Sequence, residues 1–373
     1  MGPWNPVHRS WGGWLAGLAA CFALGCSHSL PSGGGIDGVW GGAARPRPDE
    51  GWSIAGRRVA QVFGEARTHG GPGWNLEALG LPAEGRAEGA VIRPVIAAVL
   101  DTGVDGRHPE LGPVVLPGLD LVGREISDKQ RPPVAYTGLD GNGHGTHVAG
   151  ILTAVAGSGS VRILPVKAMD MTGGGEDQRI AQAVEAVISW VGPGGERVRI
   201  LNLSIGGRTM SDRLAEALRG AARAGILLVA AAGNRGRGLD FPACLPEVLA
   251  IGATTLDDTL APYSNRGPGM AFVAPGGDED IPVWSTWPTY VVAGDLGRNR
   301  PQVLDGGMMG TSMAAPHVAG LAARLLARQP DLTSAALTRE LRKRVTDLGP
   351  PGPDAWFGLG LPLWTAAPAT GKR

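Results

Sequence analysis

The sequence predicts an α/β fold: a doubly wound, mostly parallel central sheet with helices on both faces. Three observations carry this. Apolar runs of strand length recur along the chain, each too uniformly apolar to have a wet face. Between them lie segments with apolar residues at helical spacing, so that strand and helix alternate. Polar residues interrupt the runs at their carboxyl ends, where open parallel sheets place their ligand sites.

The elements follow in order. Residues 26–73 are rich in Gly, Pro, Arg and Trp, with helical periodicity only briefly around Ala55–Phe63, and read as a linker or short pro-segment. The texture changes at Trp74. Val95–Leu100 (VIAAVL) is a strand that ends in Asp101, and His144–Ala156 reads as a helix. Val161–Met169 contains the next strand. Ile180, Val184, Val187, Ile188 and Val191 repeat at helical spacing within Glu176–Val191. Arg199–Ile205 is a strand, and Ser211 is suited to cap a helix that Gly225 closes. Ile226–Ala232 and Val248–Ala253 are further strands. Met313–Arg328 is a long apolar helix, with Pro316 in its first turn, where a missing N–H is harmless. The polar stretch between Pro275 and Ser312, with GGDED at 276–280 and Arg298-Asn299-Arg300, reads as a surface loop.

Composition limits the function. Lys plus Arg and Asp plus Glu both total 34 in 373 residues, so the chain lacks the cationic surplus of a nucleic-acid binder. Hydrophobic residues make up 43%, enough for a large core. The three cysteines, Cys21, Cys26 and Cys244, form neither a disulfide framework nor a zinc pattern.

Three segments bear chemistry: Asp101-Thr102-Gly103-Val104-Asp105 at a strand end, Gly141–Gly150 (GNGHGTHVAG) entering a helix, and Gly310–His317 (GTSMAAPH) with a serine at a helix start. A serine hydroxyl is too weak an acid to attack a carbonyl unaided. It needs a base of near-neutral pKa, and the imidazole of that base needs a carboxylate to fix its tautomer. Ser312, His144 and Asp101 are the candidates for these roles. Asn234, at the end of the Ile226–Ala232 strand (AAGN, 231–234), could donate to the oxyanion of a tetrahedral intermediate. The Ser312 N–H at a positive helix end would be a second donor.

These four motifs, in this order, resemble the subtilisin-like serine proteases of the subtilase family (peptidase S8). Trp74-Asn75-Leu76, Val161–Lys167, Asn202–Gly207, Ala274-Pro275-Gly276 and Phe357–Gly360 resemble the family as well, and the likeness covers residues 74–367. The resemblance implies a serine endopeptidase acting on polypeptides through a covalent acyl-enzyme. In it Asp101 orients His144, His144 serves as base and then acid, Ser312 attacks, and Asn234 holds the oxyanion. It further implies that Ser204, Ile205, Gly206 and Gly207 pair with extended substrate backbone, and that Ala232 and Gly233 line an open, apolar pocket for the side chain before the cut bond. Arg235 and Arg237 add positive charge beside that cleft. No cofactor is needed for catalysis. Relatives often carry structural calcium, which the loop carboxylates Asp120, Asp128 and Asp140 suggest without assigning a site. The family's folded inhibitory pro-domain has no counterpart pattern in 26–73.

Other residues read as structural. His144 and His147 are spaced i, i+3, but no HExxH pattern or third ligand accompanies them, so no metal site is predicted, and His147 and His317 are satisfied histidines. Asp105 and Asp140 bond loop N–H groups, His108 before Pro109 lies at the surface of a turn, and Cys244 is an inert thiol. Ser312 stands in G-x-S-x-A, which does not match the α/β-hydrolase elbow.

Arg9 is the one formally charged side chain in the first thirty residues, and Trp11–Gly25 is apolar or small throughout. This suits a signal peptide at 1–25 and is short for a membrane span. Ala23-Leu24-Gly25-Cys26 resembles a bacterial lipobox, which implies lipidation at Cys26. Leu18-Ala19-Ala20-Cys21 and plain cleavage without lipid are the alternatives. The expected protein is exported, monomeric, and touches membrane only through such a lipid. Its catalytic domain spans 74–367 and its tail 368–373. Two other functions remain open at this point: a surface-anchored binding protein on the same scaffold with little catalysis, and an esterase or acyltransferase using the same site.

Overall fold

The computed structural model describes residues 73–81, 91–123, 134–135 (backbone), 139–290, 292 and 305–364. The leader, Cys21, Cys26, the 26–72 segment, Asp128, Arg298–Arg300 and the tail lie outside these residues.

A short helix, α1 (Trp74–Ala78), precedes strand β1 (Val95–Asp101). Two short edge strands follow, β2 (Leu119–Asp120) and β3 (Val134–Ala135). Then come α2 (His144–Ala156), β4 (Val161–Lys167), α3 (Asp177–Ser189), β5 (Val198–Leu203), α4 (Asp212–Arg223), β6 (Leu227–Ala231), β7 (Val248–Thr254) and β8 (Met270–Pro275). A hairpin of β9 (Val283–Thr286) and β10 (Asp305–Met308) leads to α5 (Thr311–Leu326) and α6 (Ser334–Arg342). The chain ends in the small pair β11 (Val345–Thr346) and β12 (Leu361–Pro362).

The main sheet runs β3-β2-β4-β1-β5-β6-β7-β8, parallel throughout except for β3 at the edge. This is the α/β class that the alternating pattern predicts. The winding reverses at β1, which pairs with β4 on one side and β5 on the other. A reversal of that kind opens a crevice at the carboxyl ends of the strands.

β1 is apolar at every position before Asp101 because both its faces are covered. Val95, Ala97 and Val99 enter the core that holds α2, α5 and α6. Ile96, Ala98 and Leu100 enter the core that holds α3 and α4. On α4, Ser211 Oγ accepts from the Leu214 N–H, and Gly225 lies just beyond the helix with φ 84°, as the cap signals require.

The structure differs from expectation in three places. α5 starts at Thr311, so Pro316 falls in its second turn and lacks the N–H that would bond the Ser312 carbonyl. Ser204 Oγ donates to that carbonyl instead, at 2.7 Å. The stretch between Pro275 and Ser312 is not simply a surface loop. Val283, Ser285 and Thr286 of β9 are buried against α2, where the two hydroxyls donate to the carbonyls of His147 and Thr146. These polar side chains serve a helix rather than water, which composition alone does not distinguish. His108 is wholly buried, its Nδ1 accepting from the Glu110 N–H within a turn that folds back on Leu111.

α2 and α5 lie against each other closely enough to require glycine. A Cβ on Gly320 would stand 2.7 Å from Val155 Cβ and 2.8 Å from the Leu152 carbonyl oxygen. Gly320→Ala is therefore expected to destabilise the fold by about 1–3 kcal/mol through overpacking. Urea unfolding measures this, and an unchanged midpoint would contradict the close approach.

Candidate active site

The first component comes from β1. Asp101, at its carboxyl end, is almost fully buried. Its Oδ1 accepts from the Thr102 N–H at 2.7 Å and pairs with His144 Nδ1 at 2.8 Å. A carboxylate only accepts, so Nδ1 carries the imidazole proton and Nε2 presents a lone pair. Nε2 is buried and has no hydrogen-bond partner among the described residues. Burial alone would lower the His144 pKa. The charge of Asp101, its hydrogen bond and the charge of Asp140 outweigh burial and hold the pKa above the ordinary histidine value.

A loop built on Asp140 delivers His144. Asp140 is fully buried and accepts from the backbone of Asn142, Gly143 and Thr146 and from the hydroxyls of Thr102 and Thr146. Thr102 Oγ1 passes the network on by accepting from the Gly145 N–H. Gly145 is required here: a Cβ would stand 2.0 Å from the Gly103 carbonyl oxygen, so only glycine lets α2 begin directly over the end of β1.

Ser312 arrives on the first turn of α5 and is 5% exposed. It is tied to Ser204 in both directions. Ser204 Oγ donates to the Ser312 carbonyl, and Ser312 Oγ donates to the Ser204 carbonyl at 3.1 Å. Asn202 Nδ2 donates to Ser204 Oγ and completes the chain. Ser204 follows the end of β5, beside β1, so Ser312 and His144 start their helices at the same edge of the sheet. They do not hydrogen-bond to each other: the serine hydroxyl faces Ser204, and the His144 Nε2 lone pair is left bare.

Asn234 follows β6, and its Oδ1 accepts from both the N–H and the hydroxyl of Thr311, at 2.8 and 2.9 Å. Two donors on the oxygen fix the orientation of the amide and turn Nδ2 the other way, against Gly310. Thr311 Oγ1 also accepts from the Gly233 N–H. The sequence gives no sign of this role for Thr311, because its partners lie 77 and 78 residues away.

The segments Ser204–Gly207 and Ala232–Asn234 follow the neighbouring strands β5 and β6, and Gly207 exchanges paired backbone hydrogen bonds with Phe241. The surroundings of Gly206 and Gly233 include a charged pair. Asp240 lies against Gly206 and Gly233 and forms an ion pair with Arg235. No sequence pattern links Asp240 to these glycines, since the turn between Asn234 and Phe241 alone brings it there.

His147 and His317 are neutral supports. His147 Nε2 donates to the carbonyls of Val283 and Gly306, and burial pushes its pKa down to about 3. His317 donates from Nδ1 to the Met313 carbonyl and accepts from Asn75 Nδ2, with burial taking its pKa to about 4. Asp105 accepts from the Arg107 N–H and from the N–H and hydroxyl of Thr289. Cys244 is at the surface, and partial desolvation raises its thiol pKa. Among the described residues no cluster of His, Cys, Asp and Glu could hold a metal ion, and no helix is long and apolar enough to cross a membrane.

The sequence model of the subtilase family (Peptidase S8) matches residues 93–360, which contain Asp101, His144, Asn234 and Ser312. The chain belongs to the subtilase family. Over 284 residues it is 34% identical to subtilisin Savinase of Lederbergia lenta, covering 74% of this chain and 92% of that protein. It is equally similar to M-protease of Shouchella clausii, of whose length the match spans 65%. A crystal structure of a lanthipeptide protease superposes with a TM-score of 0.67 at 26% identity, covering 84% of this chain and 96% of that one.

The Asp101 contact makes a prediction that needs no substrate. Followed by NMR, His144 should titrate above pH 6.5 in the folded protein. Asp101→Asn removes the largest raising influence and leaves burial, so the titration should move below that of the parent. Equal values would show that Asp101 does not govern the imidazole.

Proposed function

We propose that this subtilase is a serine endopeptidase working through Asp101, His144 and Ser312. The observation that supports this most strongly is the buried Asp101–His144 bond, which leaves a bare Nε2 at the sheet edge where α5 presents a serine. The first step is rotation of Ser312 about χ1, from the Ser204 carbonyl to His144 Nε2, a motion common on fast timescales. In substrate-free sites catalytic hydrogen bonds are often long or absent and form only with substrate bound.

Ser312 Oγ then attacks the carbonyl carbon of the peptide while its proton passes to Nε2. The negative charge moves onto the carbonyl oxygen, between Asn234 Nδ2 and the Ser312 N–H in the first turn of α5. Asp101 stabilises the imidazolium by charge and hydrogen bond. Collapse breaks the carbon–nitrogen bond, His144 gives its proton to the leaving amine, and an ester on Ser312 remains. Water, deprotonated by the same nitrogen, hydrolyses the ester and restores the serine. Every proton is accounted for without a cofactor. Extended substrate pairs with Ser204–Gly207, where two glycines admit a backbone closely. The apolar stretch Trp11–Gly25 supports export of the protein, and the lipobox-like sequence ending at Cys26 supports a lipid anchor. The mass of the mature N-terminal peptide tests both.

A fluorophosphonate should label Ser312 and stop peptide hydrolysis. Alkylation of the exposed Cys244 should leave hydrolysis intact. Labelling that persists in Ser312→Ala would remove the assignment. Asn234→Ala should lower kcat by about 10²–10³-fold with the chain still folded. An unchanged kcat would remove Asn234 from the oxyanion site. The rate should rise with pH as His144 loses its proton, with a midpoint above 6.5 because the pKa is raised, and a midpoint below it would contradict the assigned base.

A further inference from the structure

In the proteolytic reading the pocket for the substrate side chain before the cut bond lies between Ser204–Gly207 and Ala232–Asn234, and there the fold holds a carboxylate in place. Asp240 is 3% exposed. A Cβ on Gly233 would stand 2.3 Å from its Oδ2, and one on Gly206 3.7 Å from the same atom, so this oxygen sits beside both glycine walls. The backbone around it is pinned: the Asp240 N–H donates to the Ala232 carbonyl, and Phe241 exchanges two hydrogen bonds with Gly207. Oδ1 is engaged by the Arg235 guanidinium. Oδ2 lies beside the Asn265 amide and accepts no hydrogen bond of ordinary geometry among the described residues.

The two members of this ion pair differ in freedom. Asp240 has a short side chain on a backbone bonded from both sides. Arg235 has a long side chain, 17% exposed, rooted next to Asn234 at the edge of the pocket. The guanidinium can withdraw by rotation of its own bonds, while the carboxylate has nowhere to go. A buried carboxylate deprived of its partner is strongly unfavourable. Whatever side chain displaces Arg235 must therefore bring a positive charge of its own. An acidic side chain would meet a fixed like charge, and an apolar one would leave both polar groups poorly paired.

We propose that Asp240 is the specificity-determining residue of this pocket, and that the enzyme cuts preferentially after lysine or arginine, whose cation takes the place of Arg235. The inference rests on the proteolytic reading above. In the free protein Arg235 acts as an internal surrogate for the substrate side chain and competes with it. Its removal should therefore sharpen the preference.

The test is a set of peptide amides identical except for Arg, Lys, Phe, Ala or Glu before the cut bond, compared by kcat/KM. Arg and Lys should exceed Phe and Glu by about tenfold or more. Asp240→Asn should lower the Arg-to-Phe ratio by about 10–100-fold, the scale on which a buried charge discriminates. Arg235→Ala should raise it. A ratio unmoved in a folded Asp240→Asn would overturn the proposal. So would a preference for Glu that Arg235→Ala abolishes, because Arg235 would then be the reader. If Asp240→Asn does not fold, the wild-type profile and Arg235→Ala decide. Cleavage without basic preference would overturn this proposal alone, whereas failure to cut any of the peptides would overturn the proteolytic reading beneath it.

Discussion

Asp101 and His144 meet where water is nearly absent, and a single 2.8 Å hydrogen bond joins them. Burial penalises charge on the imidazole, but the charge of Asp101 and its hydrogen bond outweigh burial, so the imidazole is held more basic than it would be in solution. The surroundings work to preserve this contact. β1 fixes the carboxylate at the point where the sheet reverses its winding, and Asp140 gathers the loop before α2 so that the imidazole enters at one height and angle. Gly145 then allows helix and strand end to touch.

The other half of the site is held by backbone groups. Pro316 frees the Ser312 carbonyl, and the Ser204 hydroxyl takes it up, so the segment suited to bind extended peptide is fastened to the residue suited to attack it. Thr311 does the same for Asn234 and also reaches Gly233. Asn234, Gly233 and Ser312 are thus positioned from one helical turn. A small displacement of α5 would move all three together, which preserves their relative geometry.

Much of this was legible in the sequence because the signals are local. The limits of α2, the Ser211 cap and the uniformly apolar β1 depend on neighbouring residues and on burial on both faces, and they follow from spacing and residue type. What could not be read depends on partners distant in the chain. His108 looked superficial because proline and charge surround it, yet its turn folds inward. The hydroxyls of β9 looked like loop residues until a helix lay against them. The sequence carries no signal for Asp240, whose surroundings come from two glycines, one 7 and one 34 residues earlier, that lie close to it in the fold.

The position of α5 in the chain has a consequence for biosynthesis. This helix packs against α2 and against β5 through β8, so its docking requires elements that span most of the polypeptide. Asp101 and His144 leave the ribosome early, but Ser312 emerges only after every strand of the main sheet has been made. Domains form from the amino terminus as they are translated, and the final segment closes the structure. A nascent copy therefore carries Asp101 and His144 well before Ser312, and the three residues of the proposed triad come together only once the main sheet is made.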